Sequence, residues 1–172
     1  YSSVNQKLKF GLINSFIKYR DKDWSLSLDS TSTFDANNYS LEFNKVKIFN
    51  NSEKIFIDVK YVKNSFSQLK LLFDNLSLEN LPLKSNKFKL TGNIDGEFIY
   101  DSESNAESKL IVDNIYLNNH KFGVLDISLN YDSVLKKYNV ESSLKNNLKE
   151  TMNNFGFLLY DGNNTSINII TN

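Results

Sequence analysis

Few residues in this chain have side chains suited to acid–base chemistry. His120 is the only histidine, and it follows Asn118-Asn119 in a predicted turn, where an imidazole is solvated and no second catalytic group lies at a usable spacing. Acidic pairs such as Asp95 and Glu97 are two residues apart, so on a strand they share the wet face and contribute solubility. None matches the spacing of a calcium loop. We predict no catalytic residue, no metal site, no cofactor and no enzyme.

The composition excludes further classes of protein. The 172 residues contain 20 Lys+Arg and 20 Asp+Glu, and a formal charge of zero argues against a nucleic-acid partner. The absence of cysteine excludes disulfide scaffolds and Cys-based metal sites. No apolar run reaches 18 residues, so we expect no membrane-spanning helix. Aromatic residues reach 13%, which indicates a folded chain, and the start at Tyr1 without a signal stretch leads us to expect a processed or excerpted piece.

Alternating residues and asparagine pairs indicate the elements that position these side chains. Apolar and polar residues alternate in several short stretches, for example Ile55, Ile57, Val59 and Tyr61, the period of a strand with one solvated face. Pairs such as Asn118-Asn119 separate these stretches, because asparagine tolerates the left-handed backbone of turns. The sequence predicts an all-β fold with on the order of ten antiparallel strands joined by hairpins.

The segment 86–101 predicts a long strand or a bent one. From Phe88 onward, even positions are apolar or glycine and odd positions are charged or polar, with Ile99 the exception. Gly92 and Gly96 fall on the apolar face, where a missing side chain permits a sharp bend or a close approach. We therefore predict a curved sheet with a concave apolar side.

Breaks in the alternation and turn residues give local expectations. The apolar phase changes near Asn44-Lys45 and again at Asp113-Asn114, which predicts a bulge or tight turn at each place. Hairpin turns are predicted at Asn118-Asn119 and Asp161-Gly162. A short helix competes in two stretches, Leu144 to Asn154 and Asn5 to Arg20. We expect Trp24, the lone tryptophan, in the core, and Pro82 at a strand end or edge.

The succession of these segments resembles a known family. Leu90 to Gly96, then Leu110 to Leu117, Asn118-Asn119, Gly123 to Leu125 and Tyr131-Asp132 are similar to the repeating pattern of TamB-type proteins (the translocation and assembly module). These proteins belong to the AsmA-like, bridge-like lipid-transport group, and the pattern is similar especially to its Bacteroidota members. The resemblance covers residues 66–144 well and the first 60 residues loosely.

The resemblance implies a fold, a location and partners. The chain would be one segment, 1–172, of a longer repetitive β-ribbon: an elongated, curved antiparallel sheet, or β-taco, with a concave apolar groove. The full protein would be anchored in the inner membrane, extend through the periplasm and work with an Omp85-type outer-membrane barrel. Its groove would pass phospholipid acyl chains toward the outer membrane, and the protein would also assist outer-membrane protein assembly.

Under this interpretation the lipid groove is lined by ten apolar residues of the predicted strands: Phe88, Leu90, Ile94, Phe98, Leu110, Val112, Leu125, Ile127, Leu129 and Val140. The alternation by itself is more typical of a closed β-sandwich, in which the same side chains meet a facing sheet; the resemblance is what favours the open groove. The alternative function is then a cell-surface binding module or adhesin.

Overall fold

The computed structural model describes residues 7–9, 11–12, 15–28, 31–62, 65–81, 89–102, 105–132, 134–146, 151–160 and 168–171. These contain thirteen strands and one turn of 3-10 helix, Leu78–Asn80. The strands are β1 Lys7–Lys9, β2 Ser15–Tyr19, β3 Lys22–Ser27, β4 Thr33–Asp35, β5 Ser40–Asn50, β6 Glu53–Val62, β7 Ser65–Ser77, β8 Leu90–Asp101, β9 Asn105–Leu117, β10 His120–Asp132, β11 Lys137–Lys145, β12 Thr151–Tyr160 and β13 Asn168–Thr171.

All strands belong to one antiparallel sheet that does not close. From β5 to β13 each strand pairs with the next along the chain, while β3 and β4 pair with different halves of β5. Among the described residues, extensive backbone contacts join only neighbouring strands, apart from the 3-10 turn against β8. The predicted all-β, elongated and curved sheet is confirmed, and the closed β-sandwich is wrong because no second sheet packs on this one in the described part of the chain.

Bulges curve the sheet. Extra residues in β5, β7 and β9 produce register shifts, and Lys45, Asn75 and Asn114 in these strands have positive φ. The carboxylate of Asp95 on β8 accepts a hydrogen bond from the Asn75 N–H at 2.8 Å, which satisfies a donor that leaves the ladder. The bulges predicted at Asn44-Lys45 and Asp113-Asn114 are confirmed.

Two glycines permit a closer approach between strands than any other residue would. Gly96 on β8 has φ +127°, and a Cβ there would collide with the backbone carbonyl of Lys109 on β9. Gly123 on β10 has φ +114° and faces the carbonyl of Lys145 on β11 in the same way. Since L-residues rarely adopt this backbone, both positions require glycine.

The structure tests the remaining local predictions only where their residues are described. Asn118 and Asn119 have φ of 49° and 72°, so the predicted hairpin is a two-residue turn with both residues left-handed. Leu144 to Asn154 is not helical where it is described, because β11 runs to Lys145 and β12 begins at Thr151. Asp161-Gly162 and Pro82 lie outside the described residues. No helix within the described ranges is long and apolar enough to span a membrane.

Candidate functional site: an apolar groove with one covered rim

The strand register places apolar side chains on one face of the sheet. Ile94 on β8 pairs with Val112 on β9, and Val112 pairs with Leu125 on β10. One step along the strands, Leu110 pairs with Ile127. Because residues paired across antiparallel strands point to the same side, these side chains form rows that run across the sheet. We call this side the groove face.

The groove face contains nine of the ten residues predicted to line it: Leu90, Ile94, Phe98, Leu110, Val112, Leu125, Ile127, Leu129 and Val140. Phe88, the tenth, lies outside the described residues. The register adds members on β5, β6 and β7, among them Phe43, Ile48, Ile55, Val59, Leu71 and Phe73. Their alternation was visible in the sequence, but only the pairing of β5 to β8 shows that they continue the same rows.

The opposite face, the outer face, carries ion pairs beside exposed apolar residues such as Leu72. Lys70 Nζ lies 2.9 Å from a Glu97 carboxylate oxygen, and Lys54 Nζ lies 2.6 Å from that of Asp74. The hydrogen bond and the negative charge of Glu97 raise the pKa of Lys70 above its ordinary value. A wet outer face that carries ion pairs and an apolar groove face give the sheet its two-sided character.

One rim of the groove is covered. Here the β5–β6 and β9–β10 turns lie, and the 3-10 turn after β7 packs on the groove face. The side chains of Trp24, Leu76, Leu78, Ile94, Val112 and Ile115 form a buried cluster, against which Leu90, Leu110 and Leu125 pack. Ile94 and Val112 are 8% and 6% exposed. They therefore belong to a filled core at this rim, and Trp24 lies in it as expected.

Glu53, at the first position of β6, holds this cover in place. The residue is 9% exposed, and its carboxylate accepts hydrogen bonds from Lys22 Nζ at 2.9 Å and from the Ser77 N–H at 3.0 Å. The Asn80 side-chain amide donates a third. One carboxylate thus joins β3, the end of β7 and the 3-10 turn. Sequence reasoning did not identify Glu53, whose partners are 24 to 31 residues away.

Away from this rim the groove face has no cover among the described residues. Phe98, Ile127 and Leu129 are half-buried, although no second layer packs on them in the described ranges. Neighbouring side chains of the same sheet shield part of each. Near the opposite rim Tyr131 and Tyr138 pack with ring centroids 4.8 Å apart. The result is an apolar face that is accessible along its uncovered part.

His120 is the first residue of β10, directly after the β9–β10 turn, and it is exposed. In the described part of the chain no three acidic or histidine side chains are grouped so as to hold a metal ion.

Comparison with known proteins gives no relative. No protein-family model matches the chain, and neither a curated protein nor a solved structure is significantly similar to it.

Proposed function

We propose that this chain is a segment of a TamB-type envelope protein whose groove shields phospholipid acyl chains on their way to the outer membrane. The observation that supports the proposal is the groove face on an open sheet: rows made mostly of Leu, Ile, Val and Phe cross β5 to β11, and outside the covered rim no second layer packs on them in the described ranges. A face of this kind has to be filled by something apolar or remain in water.

The dimensions suit a lipid chain. From β5 to β11 there are six inter-strand spacings of about 4.8 Å, so the rows extend about 29 Å along the sheet. The hydrocarbon core of a bilayer is about 30 Å thick, so the acyl chains of one leaflet span about 15 Å. Each CH₂ removed from water contributes about 0.8 kcal/mol. An acyl chain can therefore lie along a row with most of its length shielded from water, without any specific polar contact.

The proposal includes partners and a location. The open sheet leaves edges to which further strands of a longer ribbon can pair, and we propose that the remainder of the same chain continues it through the periplasm from an inner-membrane anchor. An Omp85-type barrel in the outer membrane is the proposed receiver, and outer-membrane protein assembly is a second process that the same groove would serve.

The test is native mass spectrometry of the purified chain with and without a charge in the groove. Leu129 and Asn130 are neighbours on β10; Leu129 is half-buried on the groove face and Asn130 is exposed on the outer face. The expected result is co-purifying phospholipid that is lost in Leu129→Asp and retained in Asn130→Asp. An absence of lipid from the unaltered chain would contradict the proposal and favour the cell-surface binding module.

A further inference from the structure

A small pocket opens on the groove face beside the covered rim. It encloses about 160 Å³ between the β2–β3 hairpin and the 3-10 turn. Its walls come from strands β2, β3, β5, β6 and β7 and from the chain that follows β7: Ile17, Tyr19, Trp24, Ile48, Ile55, Leu76, Asn80 and Leu81. Ile48 and Ile55 are paired residues of the groove face, so the pocket is a side branch of the groove.

Polar contacts link the two walls of the pocket. Arg20, at the tip of the β2–β3 hairpin, donates a hydrogen bond to the Glu79 carbonyl oxygen in the 3-10 turn. Glu53 joins Lys22 of the hairpin to Asn80 of the turn. The two walls are thus linked by hydrogen bonds whose members, apart from Asn80, do not line the pocket.

The lining selects an apolar occupant. No Lys, Arg, Asp or Glu lines the pocket, and the Asn80 amide donates to Glu53. An engineered apolar cavity of about 150 Å³ stays dry and binds benzene or xenon, so a pocket of this size holds about six carbon atoms. Wall atoms that face an empty space lose dispersion contacts, which a hydrocarbon restores.

The pocket can be entered from water. Ile17 and Tyr19 on β2 are 48% and 39% exposed and form its mouth, whereas Trp24 in the wall is 4% exposed. The lining offers no Lys or Arg to an anionic headgroup, and a whole acyl chain exceeds the volume.

We propose that this pocket takes the methyl-terminal end of a linear acyl chain, which enters methyl first while the rest of the chain lies in the groove. This inference rests on the proposed lipid-carrying function. It adds a defined site for one end of the chain and a direction to its binding.

Trp24 makes the inference directly measurable, because it is the only tryptophan and a bromine atom quenches indole fluorescence on contact. The probes are palmitic acid with bromine on the terminal carbon and palmitic acid with bromine beside the carboxyl group. The expected result is quenching of Trp24 that is several-fold stronger with the terminal bromine. Equal quenching, or stronger quenching with bromine beside the carboxyl group, would overturn the methyl-first site.

A matched pair of variants locates the entry. Phe16 and Ile17 are adjacent, exposed residues on opposite faces of β2, so either position should accept a charge without loss of fold. Ile17→Asp should abolish quenching by the terminal bromine and Phe16→Asp should leave it unchanged; equal effects would contradict entry past Ile17. Bound lipid in native mass spectra without Trp24 quenching would refute the pocket alone, whereas an absence of bound lipid would refute the proposed function as well.

Discussion

The Glu53 carboxylate lies 2.9 Å from the ammonium nitrogen of Lys22, and this contact joins the β2–β3 hairpin to the first residue of β6. The side chain of Lys22 is 43% exposed and that of Glu53 is 12% exposed, so solvent reaches the ammonium group of the ion pair far more than the carboxylate. The same carboxylate also accepts from Ser77 and Asn80. The Glu53 carboxylate therefore stabilises the fold chiefly by accepting hydrogen bonds from several donors at once.

Glu53→Ala should lower the free energy of unfolding by about 2–3 kcal/mol, because it leaves the part-buried Ser77 N–H and the buried Asn80 amide without their acceptor. Chemical denaturation measures the change. Glu42→Ala is the control: Glu42 pairs with Lys60 at 3.8 Å on the exposed surface, and such a pair contributes about 0–1 kcal/mol. Equal losses in the two variants would contradict the role of Glu53 as the anchor of the cover.

Gly96→Ala should destabilise the sheet by at least about 2 kcal/mol, since the methyl group meets the Lys109 carbonyl and the residue must hold a positive φ. Gly11→Ala is the matched control, because no atom lies within 4 Å of a Cβ at Gly11. Thermal unfolding compares the two. A Gly96→Ala protein as stable as Gly11→Ala would show that β8 and β9 do not approach as closely as described.

The groove face should respond to charge differently in its two parts. Ile94→Asp places a carboxylate in the buried cluster, a cost of several kcal/mol in a fold with about 5–15 kcal/mol of total stability, and we expect unfolding. Leu129→Asp should be tolerated with a much smaller loss, because its carboxylate reaches water along the uncovered groove. Circular dichroism melts distinguish these outcomes, and unfolding of both variants would contradict an open groove.

The sequence was sufficient for part of this arrangement. Alternation predicted the strands, and the phase changes at Asn44-Lys45 and Asp113-Asn114 predicted two bulges. A third phase change, from Phe73 to Leu76, is a signal of the same kind for the bulge at Asn75. These features are local, since a phase change is visible within a few residues.

The covered rim could not be predicted in the same way. Its contacts join Glu53 to Lys22 and Asn80, which are far apart in sequence, and an acidic residue after a turn has no local mark of burial. For the same reason Leu90 and Ile94 look equivalent to Leu129 in the alternation, although the first two pack in or against the closed cluster. Strand periodicity predicts which side of the sheet a residue occupies and not what covers that side.

Lys70 should titrate above its ordinary pKa of 10.5, because Glu97 accepts a hydrogen bond from it and adds negative charge. The pair's contribution to stability is present below the unfolded pKa and is lost as pH rises through the higher folded pKa. It is small, since both side chains are about two-fifths exposed. Nitrogen-detected NMR titration measures the lysine, and Glu97→Gln should lower its pKa; an unchanged pKa in that variant would contradict the assigned cause.

The central claim is that lipid chains contact the groove face and not the outer face. Phe98 and Ile99 are adjacent half-buried residues of β8 that point to opposite faces, so a photocrosslinking amino acid at each position samples the two faces at the same place in the sheet. The measurement is the amount of phospholipid crosslinked in intact cells that express the chain. The account predicts crosslinked phospholipid from position 98 and little from position 99, and equal crosslinking from the two positions, or none from position 98, would contradict it.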